Sequence, residues 1–129
     1  MKDYSSHIAI IGAGISGLTL GCVLKQSGMP VIIFEKSSTA SEQGAGISIS
    51  PNGLRVIRYI GIENELRSES GNPKEVKFFY KQNKLTSFPV DIVTTSRQCL
   101  YKNLLNKYPN NKNYSELFQV ISRDLEIKD

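Results

Sequence analysis

Histidine and cysteine are scarce: His7 stands alone, and Cys22 and Cys99 are the two thiols. Cysteines so far apart form neither a CxxC pair nor a metal-ligand spacing, so a zinc site and a disulfide framework are excluded. Reduced, buried thiols in a cytoplasmic setting are the expectation. His7 opens an apolar run and is read as structural; no metal site and no catalytic residue is predicted. Concentrated positive charge is also lacking. The net charge is +4, from 16 basic and 12 acidic residues spread without a long basic block. A phosphate-tracking surface needs clustered Lys and Arg, so nucleic acid is not an expected partner. There is no internal repeat and no low-complexity tract. What remains is ordinary for a soluble protein, 40% apolar and 22% charged residues. A chain of 129 residues fits one domain or part of a larger one.

The feature that stands out is IAIIGAGISGLTLG, residues 8–21, uncharged and with four glycines. The uncharged run reaches residue 24, about the length of a short transmembrane helix. Asp3 dilutes the basic start that an export signal needs, and no small-residue cleavage site follows. Neither a membrane span nor a leader is predicted, because the glycines have a separate physical reason.

They form Gly12-Ala13-Gly14-Ile15-Ser16-Gly17, a GxGxxG. A short β-branched run from His7 to Ile11 precedes it and reads as a strand buried on both faces. A helix from Ile15 to Gln26 follows, with Ile15, Leu18 and Cys22 on one face and Ser27-Gly28 as its stop. Pro30 to Phe34 is a second buried strand. The order is strand, turn, helix, strand. In such a unit Gly12 permits the tight turn, Gly14 lets backbone approach a pyrophosphate, and Gly17 lets the helix pack on the strand. Gly21, one helical turn on, would extend that contact. The helix start offers N–H groups and a positive dipole end, favouring an anion by roughly 0.3–1 kcal/mol. Glu35 follows the second strand, about twenty residues past the turn, where a carboxylate accepts hydrogen bonds from ribose hydroxyls. It disfavours a 2′-phosphate, so NADP is not expected in this site.

GAGISGLTLG with VIIFEK resembles the N-terminal FAD fingerprint of the single-component flavin-dependent aromatic hydroxylases, the p-hydroxybenzoate hydroxylase-like family. Gly44-Ala45-Gly46-Ile47 with Ser50-Pro51-Asn52, leading into a helix from Asn52 to Ile60, resembles a second family segment. Thr95-Ser96-Arg97, opening a helix, resembles a third. The likeness runs from Ile8 to about Tyr108. It implies that Gly12, Ala13, Gly14, Ile15, Ser16 and Gly17 hold the FAD pyrophosphate, Glu35 the adenosine ribose and Lys36 the adenosine flank. Gly46 and Ile47 then lie on the flavin side, and Arg97 reaches toward the ribityl–pyrophosphate part. Plainer readings stand beside these: Ser16 as a helix cap, Lys36 as a solvated charge, residues 44–46 as a flexible loop, Arg97 as a surface residue. A cation in the first turn of a helix opposes the dipole, which favours an anionic partner for Arg97. Several family members carry an Arg just before the second segment; Glu42 and Gln43 stand there instead.

Residues 75–80, EVKFFY, and residues 84–90 read as a hairpin, with Phe78, Phe79, Tyr80 and Phe88 as sheet-packing side chains. Residues 109–113 read as a loop and 117–121 as a strand able to join the first sheet. The expected fold class is α/β: an incomplete Rossmann-like FAD-binding βαβ fold with a β-hairpin insertion from the substrate-domain sheet. Within a partial FAD-binding domain of residues 1–129, residues 1–50 hold the βαβ unit and GAGI segment, 70–92 the hairpin, and 95–129 a return helix and strand. The family's later Asp-Gly and Gly-Asp segments, which complete the cofactor and NAD(P)H sites, are absent from the sequence. The chain is therefore expected to be the FAD-binding portion of an NAD(P)H-dependent monooxygenase of small aromatic substrates, inactive without a C-terminal part, which a separate gene could encode. The alternative is a non-catalytic remnant that binds a nucleotide or a partner.

Overall fold

The structure is a computed structural model and describes residues 3–35, 44 and 46–108. The uncharged run resolves into a strand and most of a helix rather than one span. Strand β1 (Ile8–Ile11) leads through the glycine turn into helix α1 (Ile15–Gln26), and strand β2 (Val31–Phe34) follows. β1 and β2 pair in parallel, with Ile8 opposite Val31 and Ile11 opposite Phe34. Parallel neighbours need a crossover, and α1 is that crossover. Its apolar face buries Leu18, Gly21 and Cys22. It stops where Gly28 takes φ +77°, a conformation that side-chain-bearing residues rarely adopt. A Cβ on Gly21 would stand 2.7 Å from Ile33 Cδ1, which is the close helix–strand approach expected of that glycine.

Strand β3 (Gly46–Ile49) enters helix α2 (Pro51–Ile60), which has Pro in its first turn and ends on Gly61 in the left-handed region. Leu54, Ile57 and Ile60 form its buried face. A two-residue link, Gly61-Ile62, leads to the short helix α3 (Glu63–Ser68). Strands β4 (Glu75–Tyr80) and β5 (Asn83–Pro89) make an antiparallel hairpin with an irregular register at Phe78/Phe79. Strand β6 (Val93–Ser96) returns to pair antiparallel with β3 and runs directly into helix α4 (Arg97–Lys107). Three separate two-stranded pairings result. One apolar core joins the β1–β2 and β3–β6 pairs and the helices, without the hairpin: Leu18, Ile33, Leu54, Leu66, Val93 and Leu104 come from six different elements and are almost fully buried. Each such side chain contributes roughly 1.5–3 kcal/mol of burial free energy.

An ion-pair cluster fixes the link between α3 and the hairpin. Arg67 donates to Glu63 Oε1 at 3.0 Å, to Asn72 Oδ1 at 3.1 Å and to Asp91 Oδ1 at 2.8 Å. Glu63 also accepts two bonds from Arg58, at 2.7 and 3.0 Å. The Arg58 and Arg67 guanidiniums hold the Glu63 carboxyl below its ordinary pKa.

Three expectations are corrected. β1 is not buried on both faces: Ile10 is buried, whereas Ile8 is 42% and Ile11 76% exposed. Ala9 and Ile11, on the face opposite Ile10, are both exposed, and among the described residues only β2 pairs with β1. The hairpin aromatics Phe78, Phe79, Tyr80 and Phe88 do not pack into a sheet core; all are exposed, and Phe78 and Phe88 lean on each other at 5.8 Å between ring centroids. Of the two thiols Cys22 is buried but Cys99 only half-buried. The predicted loop at 109–113, the strand at 117–121 and Lys36 lie outside the described residues. Among the described residues no helix is long and apolar enough to cross a membrane.

Candidate functional site

The glycine turn is built by two backbone constraints. Gly12 adopts φ +98° as the chain leaves β1, and its N–H donates to Phe34 O at 2.6 Å, which extends the β1–β2 ladder one step into the turn. The helix then comes so close that a Cβ on Gly17 would sit 1.9 Å from Gly12 O. No side chain larger than hydrogen fits there without moving backbone. The spacing Gly12 to Gly17 is thus a packing requirement as well as a motif.

α1 starts from Gly14 as its N-cap, with no side-chain cap and no acidic residue in its first turn. Leu18 N–H makes the first intrahelical bond, to Gly14 O at 2.9 Å. The N–H groups of Ile15, Ser16 and Gly17 precede it, and with the dipole they form a cradle suited to an anion. Ser16 is exposed in that first turn and is not the cap. These residues fit a pyrophosphate.

Ala13 departs from its predicted role. Its N–H is not presented outward but donates to Glu35 Oε2 at 2.7 Å, and the residue is 3% exposed. Glu35, half-buried after β2, therefore buttresses the turn. A charge-assisted bond of this length is among the stronger kind. The pairing between residues 22 positions apart carries no local sequence signal.

A second locus forms at the β3–β6 end. Gly46 lies opposite Ser96 and Ile47 opposite Thr95. Ser96 caps α4 by accepting from Cys99 N–H at 3.0 Å, a cap that a Ser directly ahead of a helix signals and that was not foreseen. Arg97 is the first residue of α4 and exposed. A Cβ on Gly44 would meet Arg97 Cδ at 3.0 Å, so the Arg stem lies against the GAGI segment. The structure thus groups Gly44, Gly46, Ile47 and Arg97, and groups Gly12 to Gly17 with Glu35. Cys22 belongs to neither: its Sγ lies 3.7 Å from Leu104 O, and burial pushes the thiol up to about 11. A thiol held neutral in this way is a core residue, not a nucleophile.

Residues 5–118 match the FAD binding domain family. The chain belongs to that family. FAD is the family's cofactor, and the mixed α/β fold matches those of flavin monooxygenases. The FAD-dependent monooxygenase pytG of Aspergillus terreus is 43% identical over 63 residues, 49% of this chain and 19% of that protein. The 3-amino-4-hydroxybenzoate 2-monooxygenase of Streptomyces cremeus is 39% identical over 66 residues, 51% of this chain and 17% of that enzyme. Among solved structures, the tetrameric form of 2-methyl-3-hydroxypyridine-5-carboxylic acid oxygenase is similar at 29% identity and a TM-score of 0.68, over 77% of this chain and 28% of that one. The Klebsiella pneumoniae HpxO complex with FAD and uric acid is similar at 26% identity and a TM-score of 0.63, over 78% and 28%. The chain spans less than a fifth of the length of the curated relatives it matches.

Proposed function

We propose that this FAD-binding chain is the N-terminal portion of an NAD(P)H-dependent flavin monooxygenase that hydroxylates a small aromatic substrate in the cytoplasm. The observation that carries the proposal is the uncapped start of α1 behind a glycine turn, tied through Ala13 N–H to Glu35. In this reading Gly12, Gly14, Ile15, Ser16 and Gly17 hold the pyrophosphate by backbone, and Ala13 holds Glu35 in place for the adenosine ribose. Lys36 flanks the adenosine, Arg97 faces the ribityl–pyrophosphate part, and Gly46 and Ile47 lie on the flavin side. FAD, when bound, supplies the oxygen-transfer chemistry, and the protein supplies binding and orientation. The relatives' names support the monooxygenase class, since they act on hydroxylated benzoates and pyridines. The hairpin β4–β5 is read as an insertion from the substrate-side sheet, and its uncovered aromatics fit that place. Substrate turnover requires a further C-terminal part, in the same or a separate polypeptide, bearing the Asp-Gly and Gly-Asp segments.

The test is a titration of the chain with FAD, ADP and NAD, read by flavin fluorescence and thermal stability. FAD and ADP should both stabilise the protein, with a dissociation constant for FAD weaker than about 1 μM, or about 8 kcal/mol. A folded chain stabilised by neither ligand overturns the proposal. A submicromolar constant overturns the view that only part of the cofactor site resides here.

A further inference from the structure

The hairpin β4–β5 stands apart from the core. Among the described residues, none of its side chains joins the buried apolar cluster. Its ion pairs there, Glu75 with Lys77 at 3.2 Å and with Lys84 at 3.9 Å, stay inside the hairpin. A neck of two chain segments connects it to the body. At the outer end of the neck Val90 N–H donates to Lys74 O at 3.0 Å. At the inner end Gly71 and Thr94 exchange bonds of 2.8 and 2.9 Å, an antiparallel bridge that continues the β3–β6 ladder. Between these rungs Asn72-Pro73 on the way out faces Asp91-Ile92-Val93 on the return. The two segments differ in length, and Pro73 has no N–H to give. Among the described residues no backbone bond crosses this stretch. A ladder interrupted in this way bends readily, so the strands beyond it can change their angle to the body while both rungs stay made.

Arg67 spans the gap. Its Nη1 donates to Asn72 Oδ1 at 3.1 Å and its Nη2 to Asp91 Oδ1 at 2.8 Å, one partner on each segment. Its Nε donates to Glu63 Oε1 at 3.0 Å, and Arg58 of α2 holds Glu63 in turn at 2.7 Å. The Asn72 amide is fixed as well, donating to Arg67 O at 2.9 Å and to Ser70 O at 3.0 Å. A guanidinium presents its donors in a rigid planar fork, so these bonds fix directions. The Asp91 side chain is 57% exposed, and ion pairs at sites this open contribute little stability. Three bonds from one side chain, placed where backbone bonds lapse, therefore act on orientation more than on energy.

We propose that the hairpin is an arm on a joint at residues 72–73 and 91–92, and that Arg67 is the latch that sets the arm's angle to the core. Arg67 is a positioning residue in this account. On the monooxygenase reading the hairpin belongs to the substrate-side sheet, and the latch then fixes the angle at which that sheet meets the FAD-binding core. That consequence rests on the reading; the joint and its latch do not.

The experiment measures residual dipolar couplings of backbone amides in the isotope-labelled full chain, weakly aligned in a gel. In the parent, one alignment tensor should fit the hairpin together with β1, β2, α1 and α4. In Arg67→Ala the hairpin should keep its internal fit but require a separate, smaller tensor, with the core couplings unchanged. Arg67→Lys should behave as Arg67→Ala does, because an ammonium keeps the charge and loses the fork. Asp91→Ala, at an exposed site that leaves the Glu63 and Asn72 contacts of Arg67 in place, should free the arm too, and it decides the matter if Arg67→Ala does not fold. The couplings report the folded state, so the loss of stability that a merely structural role predicts would leave them unmoved. One shared tensor in the folded variants overturns the proposal, as does a parent that already needs two. ADP added to the same samples reports the phosphate turn separately. ADP shifts at Gly12 to Gly17 with one shared tensor in the variants sink the latch alone, and a freed arm without ADP shifts sinks the nucleotide reading alone.

Discussion

Gly17→Ala is the sharpest test of how the glycine turn is made. Two effects oppose each other. Alanine is the better helix former, by about 1 kcal/mol in a helix interior. Against this, the new Cβ would lie 1.9 Å from Gly12 O, 3.1 Å from Gly12 C and 3.4 Å from Ile10 Cγ2. Real Cβ atoms do not approach an oxygen within 3.0 Å, so backbone must separate by about 1 Å. The Gly12 carbonyl cannot simply swing away, because the N–H in the same peptide group, that of Ala13, is held by Glu35 Oε2 at 2.7 Å. If α1 retreats instead, Leu18, fully buried on the next residue, lifts from the core. Overpacking of this kind costs about 3 kcal/mol, at the upper end of the usual range since the neighbour is backbone. The net loss is about 2 kcal/mol, which for a domain of this size lowers the melting temperature by about 10 °C.

Gly21→Ala supplies the control, on the same helix one turn along. Its Cβ would meet Ile33 Cδ1 at 2.7 Å and Tyr108 Cε2 at 2.9 Å, the far ends of side chains that can rotate. The helix-propensity gain then offsets much of the clash, and the variant should stay within about 1 kcal/mol of the parent. Circular dichroism melts of the three proteins decide the matter, with ADP stabilisation as a second readout. If Gly17→Ala melts at or above the parent, or no lower than Gly21→Ala, the close approach of α1 to the Gly12 carbonyl is wrong. The account of the motif as a packing requirement then fails with it.

Glu35→Ala should weaken ADP and FAD binding about tenfold, since it removes both the proposed ribose acceptor and the buttress of Ala13 N–H; Glu35→Gln, which keeps an oxygen acceptor, should fall between, as measured by calorimetric titration. Arg67→Ala should destabilise the chain by about 1 kcal/mol in denaturant melts, because one guanidinium joins Glu63, Asn72 and Asp91 at a partly exposed site. Burial raises the Cys22 thiol from 9.0 to about 11, so the unfolded chain releases this proton before the folded one does. The associated stability is complete below pH 9 and is lost as pH rises toward 11, on the order of 2 kcal/mol. Cys22→Val should flatten that part of the alkaline stability curve; an unchanged curve would assign the loss to other groups, Tyr108 first, whose phenol burial also raises.

What could be read in advance followed from local chemistry. α1 runs from Ile15 to Gln26 as expected, because glycines punctuate both of its ends. β4 spans residues 75–80 as expected, and α4 begins at Arg97. What escaped was set by partners distant in sequence. Gly-Ile-Ser-Ile and Val-Thr-Thr-Ser are too short to declare themselves strands, and each becomes one only by pairing with the other across α2, α3 and the hairpin. α3 is six residues and has no apolar repeat long enough to show. The exposure of β1 escaped for the opposite reason: an unbroken apolar run specifies what a strand wants to bury, not which neighbours are present to bury it.

The same distinction bears on the site. The motif places phosphate and ribose groups by spacing, and treats them as independent contacts. The Ala13–Glu35 bond makes them one mechanical unit, because the carboxylate proposed to meet the sugar also holds the N–H of Ala13, between Gly12 and Gly14. Gly12 N–H is at the same time fixed to the end of β2, the strand that delivers Glu35. Turn and acid are therefore locked to each other twice, once through side chain and once through backbone. A substitution at Glu35 then disturbs phosphate binding even for ligands that lack a ribose. Inorganic pyrophosphate makes this testable: it should bind Glu35→Ala more weakly than the parent, whereas independent contacts would leave it unaffected or strengthen it by removing a nearby negative charge.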